Sequence, residues 1–455
     1  METRMIFARR AFLPSGWVED VRVTIRDGRI GTVASNARAE ADDTQVDVLL
    51  PALANLHSHA FQRAMAGRTE VRALGRESFW TWREIMYRFL DRLTPDQMQA
   101  IAAMVYVEMQ ETGFASVGEF HYVHHQPGGA AYADRAEMSA RIMAAAAETG
   151  IGLTHLPVLY SYGGAGKAPL AGGQLRFGND VDGFARLLEA ARGHAAGMAA
   201  DTVVGIAPHS LRATCPEDLA AALPLAGAGP VHIHVAEQPK EVEDISAWLG
   251  ARPVEWLLAN APVDGRWCPI HATHMTAAET GGLARSGAVA GLCPITEANL
   301  GDGPFNGPGW IAAGGAFGVG SDSNVRISLV EELRTLEYSQ RLRDLQRNVL
   351  VQGEGSVGAF LYRGAATGGA RALGRDAGEI AAGRLADLLA LDGDHPALCG
   401  LAGDQLLDGL AFAAPDGVVT DLWSAGRHQV RAGRHVARDE VVAGYRQAVA
   451  SLLAG

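Results

Sequence analysis

The sequence predicts an α/β fold, a (β/α)₈ TIM barrel carrying a small β-sandwich built from both chain ends. Three observations predict it. Between about residues 51 and 372 an apolar strand, a loop and a long Ala-, Leu-, Glu- and Arg-rich stretch of helical period keep alternating. The strands in that region are continuous apolar runs, as parallel strands buried on both faces must be. Short strands with glycine turns occupy the two ends, residues 1–50 and 373–455, without long helices between them.

At the N-terminus Met5 to Ala8, Val21 to Arg26 and Arg29 to Val33 read as strands, the last two joined by the Asp27-Gly28 turn. Eight barrel strands follow: Val48 to Leu56, Phe114 to Phe120, Gly152 to Tyr160, Thr202 to Ala207, Pro230 to Ala236, Trp267 to Ala272, Ala288 to Cys293 and Ala316 to Gly320. A helix is predicted from Pro95 to Thr112, because Thr94 is a capping residue and proline suits the first helical position. Beyond residue 373, Gly383 to Asp392, Val418 to Trp423 and Gly426 to Gly433 are strands, and Glu440 to Leu453 is a closing helix.

Composition narrows the function. A formal net charge of −12 argues against nucleic acid and against a polybasic membrane surface. It would also repel an anionic substrate at long range, so capture of one must rest on local arginines and a metal. No apolar run reaches the roughly 20 residues a membrane span needs, and the first ten residues lack the apolar core of a signal peptide. Cys215, Cys268, Cys293 and Cys399 form no Cys-x-x-Cys pair, which points to reduced thiols in a cytoplasmic protein.

The reactive side chains gather at strand ends. His57 and His59 close an apolar run two positions apart, so both rings leave one face about 6 to 7 Å apart along the backbone. The next strands end in His232-Ile-His234 with Glu237, in His271 with His274, and in Ser321-Asp322. Each alone has a plain explanation, a histidine bonded inside a barrel or an aspartate capping a helix. Together, three imidazoles and a carboxylate suit one divalent metal, most simply zinc with a position left for water. Alternation leaves His232 and His234 equivalent.

His57-Ser-His59, His234 with Glu237 three residues on, His271 and Ser321-Asp322 resemble the deaminase branch of the amidohydrolase superfamily over the full length, and Gly383 to Asp392 resembles its second-domain signature. That resemblance implies a metal held by His57, His59, His234 and Asp322, with Glu237 and His271 as the acid/base pair. Within the branch the chain resembles the formimidoylglutamate deiminases. Five stretches carry this: Asn55-Leu-His-Ser-His-Ala-Phe-Gln-Arg-Ala-Met-Ala-Gly67, Ser78-Phe-Trp-Thr-Trp-Arg-Glu84, Gly118-Glu-Phe-His-Tyr-Val-His-His125, His209-Ser-Leu-Arg212 and Thr296-Glu-Ala-Asn-Leu-Gly-Asp302. The implied substrate contacts are Gln62, Arg83, Tyr122, His209 and Arg212, and the implied partner is a small dicarboxylate amidine.

The chemistry of such a substrate agrees. Two carboxylates want cationic forks at one end of a pocket, which Arg83 and Arg212 offer, and the amidine carbon wants the metal end. In the expected mechanism His271 and Asp322 hold and deprotonate water, Glu237 protonates the imino nitrogen, and ammonia leaves. Ile295 stands where a small hydroxyl residue is expected, and Ser161 to Gly178, rich in glycine, is the lid candidate. A homodimer is the expected assembly. Two other readings compete: an aminohydrolase of a guanidino compound or heterocycle, which would want stacking aromatics in place of two arginines, and a non-catalytic barrel, which would not need Glu237 and His271.

Overall fold

The computed structural model describes residues 4–70 and 79–454. Four strands lead: β1 (Arg4–Leu13), β2 (Gly16–Arg26), β3 (Arg29–Ala34) and β4 (Thr44–Pro51). The β2–β3 hairpin turns on Asp27 and Gly28, both with positive φ (50° and 78°), the geometry an Asp-Gly pair favours. Next come β5 (Leu53–Ser58), β6 (Phe114–His121), β7 (Gly152–Leu159), β8 (Val203–Val204), β9 (Ala207–Pro208), β10 (Val231–Val235), β11 (Trp267–His271), β12 (Val289–Leu292) and β13 (Ala316–Val319). The chain closes with β14 (Leu388–Leu391), β15 (Val419–Ser424), β16 (Arg427–Arg431), β17 (Arg434–His435) and the helix Arg438–Ala454.

β5 to β8 and β10 to β13 form two parallel arcs, and β9 pairs with β7. Both seams between the arcs are bridged in parallel, Ser58 to Asp322 on one side and Ile206 to Val231 and Ser210 to His234 on the other. The strands therefore run in a ring, with helices such as Pro95–Thr112 and Glu137–Thr149 in the connections. Pro95–Thr112 begins as expected: Thr94 and Gln97 cap each other reciprocally, and Gly113 ends the helix at φ 110°.

Two expectations need correction. The single strand Val48 to Leu56 is two strands, β4 and β5, because the Ala52 N–H turns away to the Asp387 carbonyl (3.0 Å). The strand Thr202 to Ala207 is the pair β8 and β9. At Gly205 between them the backbone presses so close that an added Cβ would lie 2.5 Å from the Pro230 carbonyl oxygen. The two chain ends do meet, along one hydrogen-bonded path of eight strands, β17-β16-β15-β14-β4-β1-β2-β3, and one buried cluster that includes Ile6, Val23, Ile30, Leu49, Leu388 and Trp423 packs along it.

A buried ionic cluster ties that sheet to the ring. Arg375 places Nη2 3.1 Å from Asp201 Oδ2 and 3.1 Å from Asp387 Oδ2, and Arg427 donates to Asp201 Oδ1 at 2.7 Å. Asp387, in the Gly383 to Asp392 stretch, also accepts from the Ala425 N–H at 2.6 Å. Burial opposes ionisation of Asp201, but Arg427 and Arg375 outweigh it and hold the carboxyl down to about 2. A folded-state pKa below the unfolded value means stability that is complete above about pH 4 and lost as pH falls through 2, worth about 2 kcal/mol. Urea unfolding of the wild type and Asp201→Asn should therefore differ most near pH 6 and converge as pH falls from 4 to 2. A gap that stays constant over that range would contradict this role.

Candidate active site

The site lies where the ring closes. The Asp322 N–H donates to the His57 carbonyl and the His59 N–H to the Asp322 carbonyl, both at 2.9 Å. Gly320 packs so tightly there that an added Cβ would stand 2.7 Å from the His57 nitrogen. At the other seam the His234 N–H donates to the His209 carbonyl at 2.9 Å. Residues at these strand ends adopt the left-handed region without being glycine: Ala236 (φ 52°), His271 (66°), Ala272 (47°), Asp322 (46°) and Asn324 (54°). Such conformations cost about 1–3 kcal/mol each and gather where geometry matters for function.

His57, His59, His234 and Asp322 converge, each offering a ligand atom within 4.8 Å of the others. Asp322 Oδ1 lies 3.4 Å from His57 Nε2 and 3.3 Å from His59 Nε2. His59 donates Nδ1–H to the Phe120 carbonyl (2.9 Å) and His234 to the His209 carbonyl (3.1 Å), which leaves each Nε2 a lone pair. Both ring nitrogens of His57 are buried without a hydrogen-bond partner among the described residues. Burial holds all three imidazoles below their usual range, His57 down to about 3, so they are neutral. Burial acts against the Asp322 carboxylate, yet the imidazoles of His57, His271 and His59 hold it far below the usual carboxylate range. Three neutral nitrogens, one carboxylate oxygen and an unpartnered buried imidazole fit a divalent metal.

A polar network sets these ligands. Asn55 donates to Ser321 Oγ (2.7 Å) and accepts from the Ser321 N–H (3.0 Å), Ser321 Oγ donates to Asn324 Oδ1 (2.6 Å), and Asn324 donates to Ser58 Oγ (3.1 Å). Beside the four converging side chains His271 places Nε2 3.8 Å from Asp322 Oδ2 and 3.9 Å from Glu237 Oε1. Burial lowers the His271 pKa, but the hydrogen bond to Glu297 and the charges of Glu237 and Asp322 prevail and push it up to about 10.

The cleft above the cluster is lined by all five expected substrate contacts, Gln62, Arg83, Tyr122, His209 and Arg212. Gln62 donates to the Tyr122 hydroxyl (2.7 Å), and Arg83 donates to the hydroxyls of Tyr160 (3.0 Å) and Tyr87. His209 meets Ser210 Oγ at 3.0 Å. Burial, then the cations of Arg212 and Arg83, hold it neutral. Arg212 is more engaged than a simple carboxylate fork: it donates to Glu237 Oε2 at 3.1 Å, and its Nε lies 3.6 Å from Glu241 Oε2. Ser78 lies outside the described residues.

The structure separates residues that strand alternation left equivalent. His232 lies one pleat repeat deeper and bonds the Ala372 carbonyl (2.8 Å). His274 bonds the Asp302 carbonyl, His124 the Val158 carbonyl and His125 the Gly178 carbonyl. Ser161 to Gly178 is anchored by Arg176, which is buried and donates to the carbonyls of His125 (2.8 Å) and Leu93 (2.9 Å). Ile295 is buried and carries no hydroxyl; the hydroxyl of the next residue, Thr296 Oγ1, meets Ser321 O (3.2 Å) and Ser323 Oγ (2.9 Å). Residue-by-residue reading missed Asn55, Asn324, Glu297 and the cleft wall of Trp82, Met86, Tyr160 and Phe177. Asn55 and Glu297 stood inside quoted stretches, but their partners lie far away in sequence.

The amidohydrolase family matches residues 48–428, and the N-terminal domain of formimidoylglutamate deiminase HutF matches residues 3–47. A formimidoylglutamate deiminase of Pseudomonas aeruginosa is 50% identical over 98% of this chain and 99% of its own. An 8-oxoguanine deaminase of the same organism is 27% identical over 91% and 95%. Among solved structures, an amidohydrolase from Brucella melitensis superposes with a TM-score of 0.95 at 51% identity, covering 99% of this chain and 100% of that one. An adenosine deaminase from Xanthomonas campestris with bound zinc shares the fold at 21% identity and a TM-score of 0.81, covering 99% and 98%.

Proposed function

The chain belongs to the amidohydrolase family, of TIM-barrel-type fold, and from that premise we propose how its residues carry out the deimination that its formimidoylglutamate deiminase relatives are named for. It is a hydrolase of a C–N bond: N-formimino-L-glutamate and water give N-formyl-L-glutamate and ammonia, a step of histidine degradation. The observation that carries the assignment of roles is one cleft with the N₃O donor set, Glu237 and His271 at its floor and the guanidinium groups of Arg83 and Arg212 on its wall.

We take residues 51–372 as a (β/α)₈ barrel around this site and residues 1–50 and 373–455 as the second domain. His57, His59, His234 and Asp322 hold one divalent ion, best matched by zinc given three imidazoles and a carboxylate. When bound, the metal supplies water acidified enough to attack at neutral pH. Asp322 and His271 would take the proton of that water, His271 because the charge of the bound cation would offset the charges of Glu237 and Asp322 that raise its pKa without metal. Glu237, 3.9 Å from His271 Nε2, protonates the imino nitrogen so that the amidine carbon accepts the attack, and a returned proton releases ammonia. Arg83 binds a substrate carboxylate, with Gln62, Tyr122 and His209 orienting the rest. Arg212 does two things: it meets the second carboxylate and steadies Glu237. Cations and hydrogen-bond donors of this kind favour an acyclic dicarboxylate over a planar heterocycle.

Metal removal tests the ligand set. Dialysis against a chelator should abolish ammonia release from N-formimino-L-glutamate, and about one equivalent of zinc per chain should restore it. Restoration requiring two equivalents, or activity surviving in the metal-free protein, would contradict the single four-ligand centre.

A further inference from the structure

Glu297 is buried, 5% exposed, and is itself neither one of the four clustered residues nor one of the residues lining the cleft. Its Oε1 stands 3.2 Å from His271 Nδ1, on the side of the ring away from the reacting groups. The opposite nitrogen, Nε2, is the one that faces Glu237 and Asp322. A carboxylate accepts and never donates when ionised, so this contact requires the proton to sit on Nδ1 and leaves Nε2 as the exchanging position. The carboxylate is itself pinned. Oε1 also accepts from the Cys293 N–H at 2.9 Å at the start of the helix Pro294–Leu300, and the Glu297 carbonyl accepts from the Asp302 N–H at 2.9 Å. The Ile295 N–H is held by Glu332 Oε2 (3.0 Å) and Thr296 by Ser321 and Ser323. On its own strand His271 holds a left-handed backbone, φ 66°, with the Ala272 N–H bonded to the Val235 carbonyl (3.1 Å). The ring is thus gripped from β11 and from the helix after β12.

We propose that Glu297 is the positioning residue for His271, fixing which imidazole nitrogen faces the substrate and aiming it between Glu237 and Asp322. The inference rests on the role given to His271 in the proposed reaction. A residue that acts only through another loses its effect when that other is gone, and this separates the inference from a merely structural role. Outer groups that orient a functional histidine are typically worth about 10- to 100-fold in activity.

The experiment is a double-mutant cycle on the zinc-loaded protein, read as ammonia release from N-formimino-L-glutamate, with metal content counted in every variant. Glu297→Ala should lower kcat about 10- to 100-fold at nearly unchanged KM and unchanged zinc. In a His271→Ala background it should cost nothing further. Glu297→Gln keeps an acceptor for both N–H groups and should lose less than Ala, and it serves the cycle should Ala fail to fold. Equal losses in the wild-type and His271→Ala backgrounds would overturn the inference, as would full activity of both Glu297 variants. A second equivalent of zinc in the wild type, lost alike in Glu297→Ala and Cys293→Ala, would overturn it too, because Cys293, Glu297 and His271 bring ligand atoms within 4.8 Å of one another. Wild-type protein inert toward N-formimino-L-glutamate would overturn the reaction and this role together, whereas an active wild type indifferent to Glu297 overturns this role alone.

Discussion

Glu237→Gln should lower kcat by about 10²- to 10⁴-fold, the range that general acid–base catalysis supplies, while zinc content stays that of the wild type. The side chain is 4% exposed and sits between Arg212, at 3.1 Å from its Oε2, and His271, at 3.9 Å from its Oε1. The amide fits the same space and can still meet the Arg212 guanidinium through its oxygen, but it has no proton to hand to the imino nitrogen. Glu237 is also absent from the four-ligand cluster, so the metal should not notice the change. Loss of zinc along with activity would move Glu237 from the acid role to support of the metal.

The second large effect is expected at the arginines, and the two should behave differently. Arg83 donates to the Tyr160 and Tyr87 hydroxyls of the cleft wall, at the end of the pocket where a substrate carboxylate is proposed to sit. Arg83→Ala should therefore raise KM with a modest change in kcat, the signature of lost uniform binding. Charge-assisted bidentate contacts make a loss of about 2–4 kcal/mol reasonable, or about 30- to 1,000-fold in kcat/KM. Arg212 also donates to Glu237, and its Nε lies 3.6 Å from Glu241 Oε2. Arg212→Ala leaves two buried carboxylates facing each other and should depress kcat as well as raise KM. Identical kinetic signatures for the two variants would contradict the division of labour. An unchanged KM in Arg83→Ala would remove that residue from substrate binding.

The convergence of the four clustered side chains was legible in the sequence because each stands at the end of a buried strand, and alternation, strand order and the superfamily likeness all point one way. His57, His59, His234 and Asp322 then meet because a closed ring brings all strand ends to one rim. What alternation could not separate was His232 from His234, since both leave the same face of β10; depth in the ring decides, through the Ala372 carbonyl that His232 meets. The break between β4 and β5 was hidden because both strands are buried, so Val48 to Leu56 carries no polar mark where it changes sheet. Which edges pair along the eight-stranded path was not legible either, because short strands with glycine turns carry no record of it. Pairings such as Asn55 with Ser321, 266 residues apart, and Glu297 with His271 across two strands leave no local pattern. Arg212 shows the same limit in reverse: the substrate-binding role expected of it was compatible with the sequence, but its grip on Glu237 required coordinates.

The most direct test of the whole account is the substrate itself. Purified zinc-loaded protein should be given N-formimino-L-glutamate, N-formimino-L-aspartate and guanine in parallel, with ammonia and the organic product identified. The account predicts strong release of ammonia and N-formyl-L-glutamate from the first compound, weaker turnover of the shorter homologue, and none of guanine. Turnover of guanine with the formimino compound untouched would leave the metal cluster standing and contradict the assignment of Arg83 and Arg212 to substrate carboxylates.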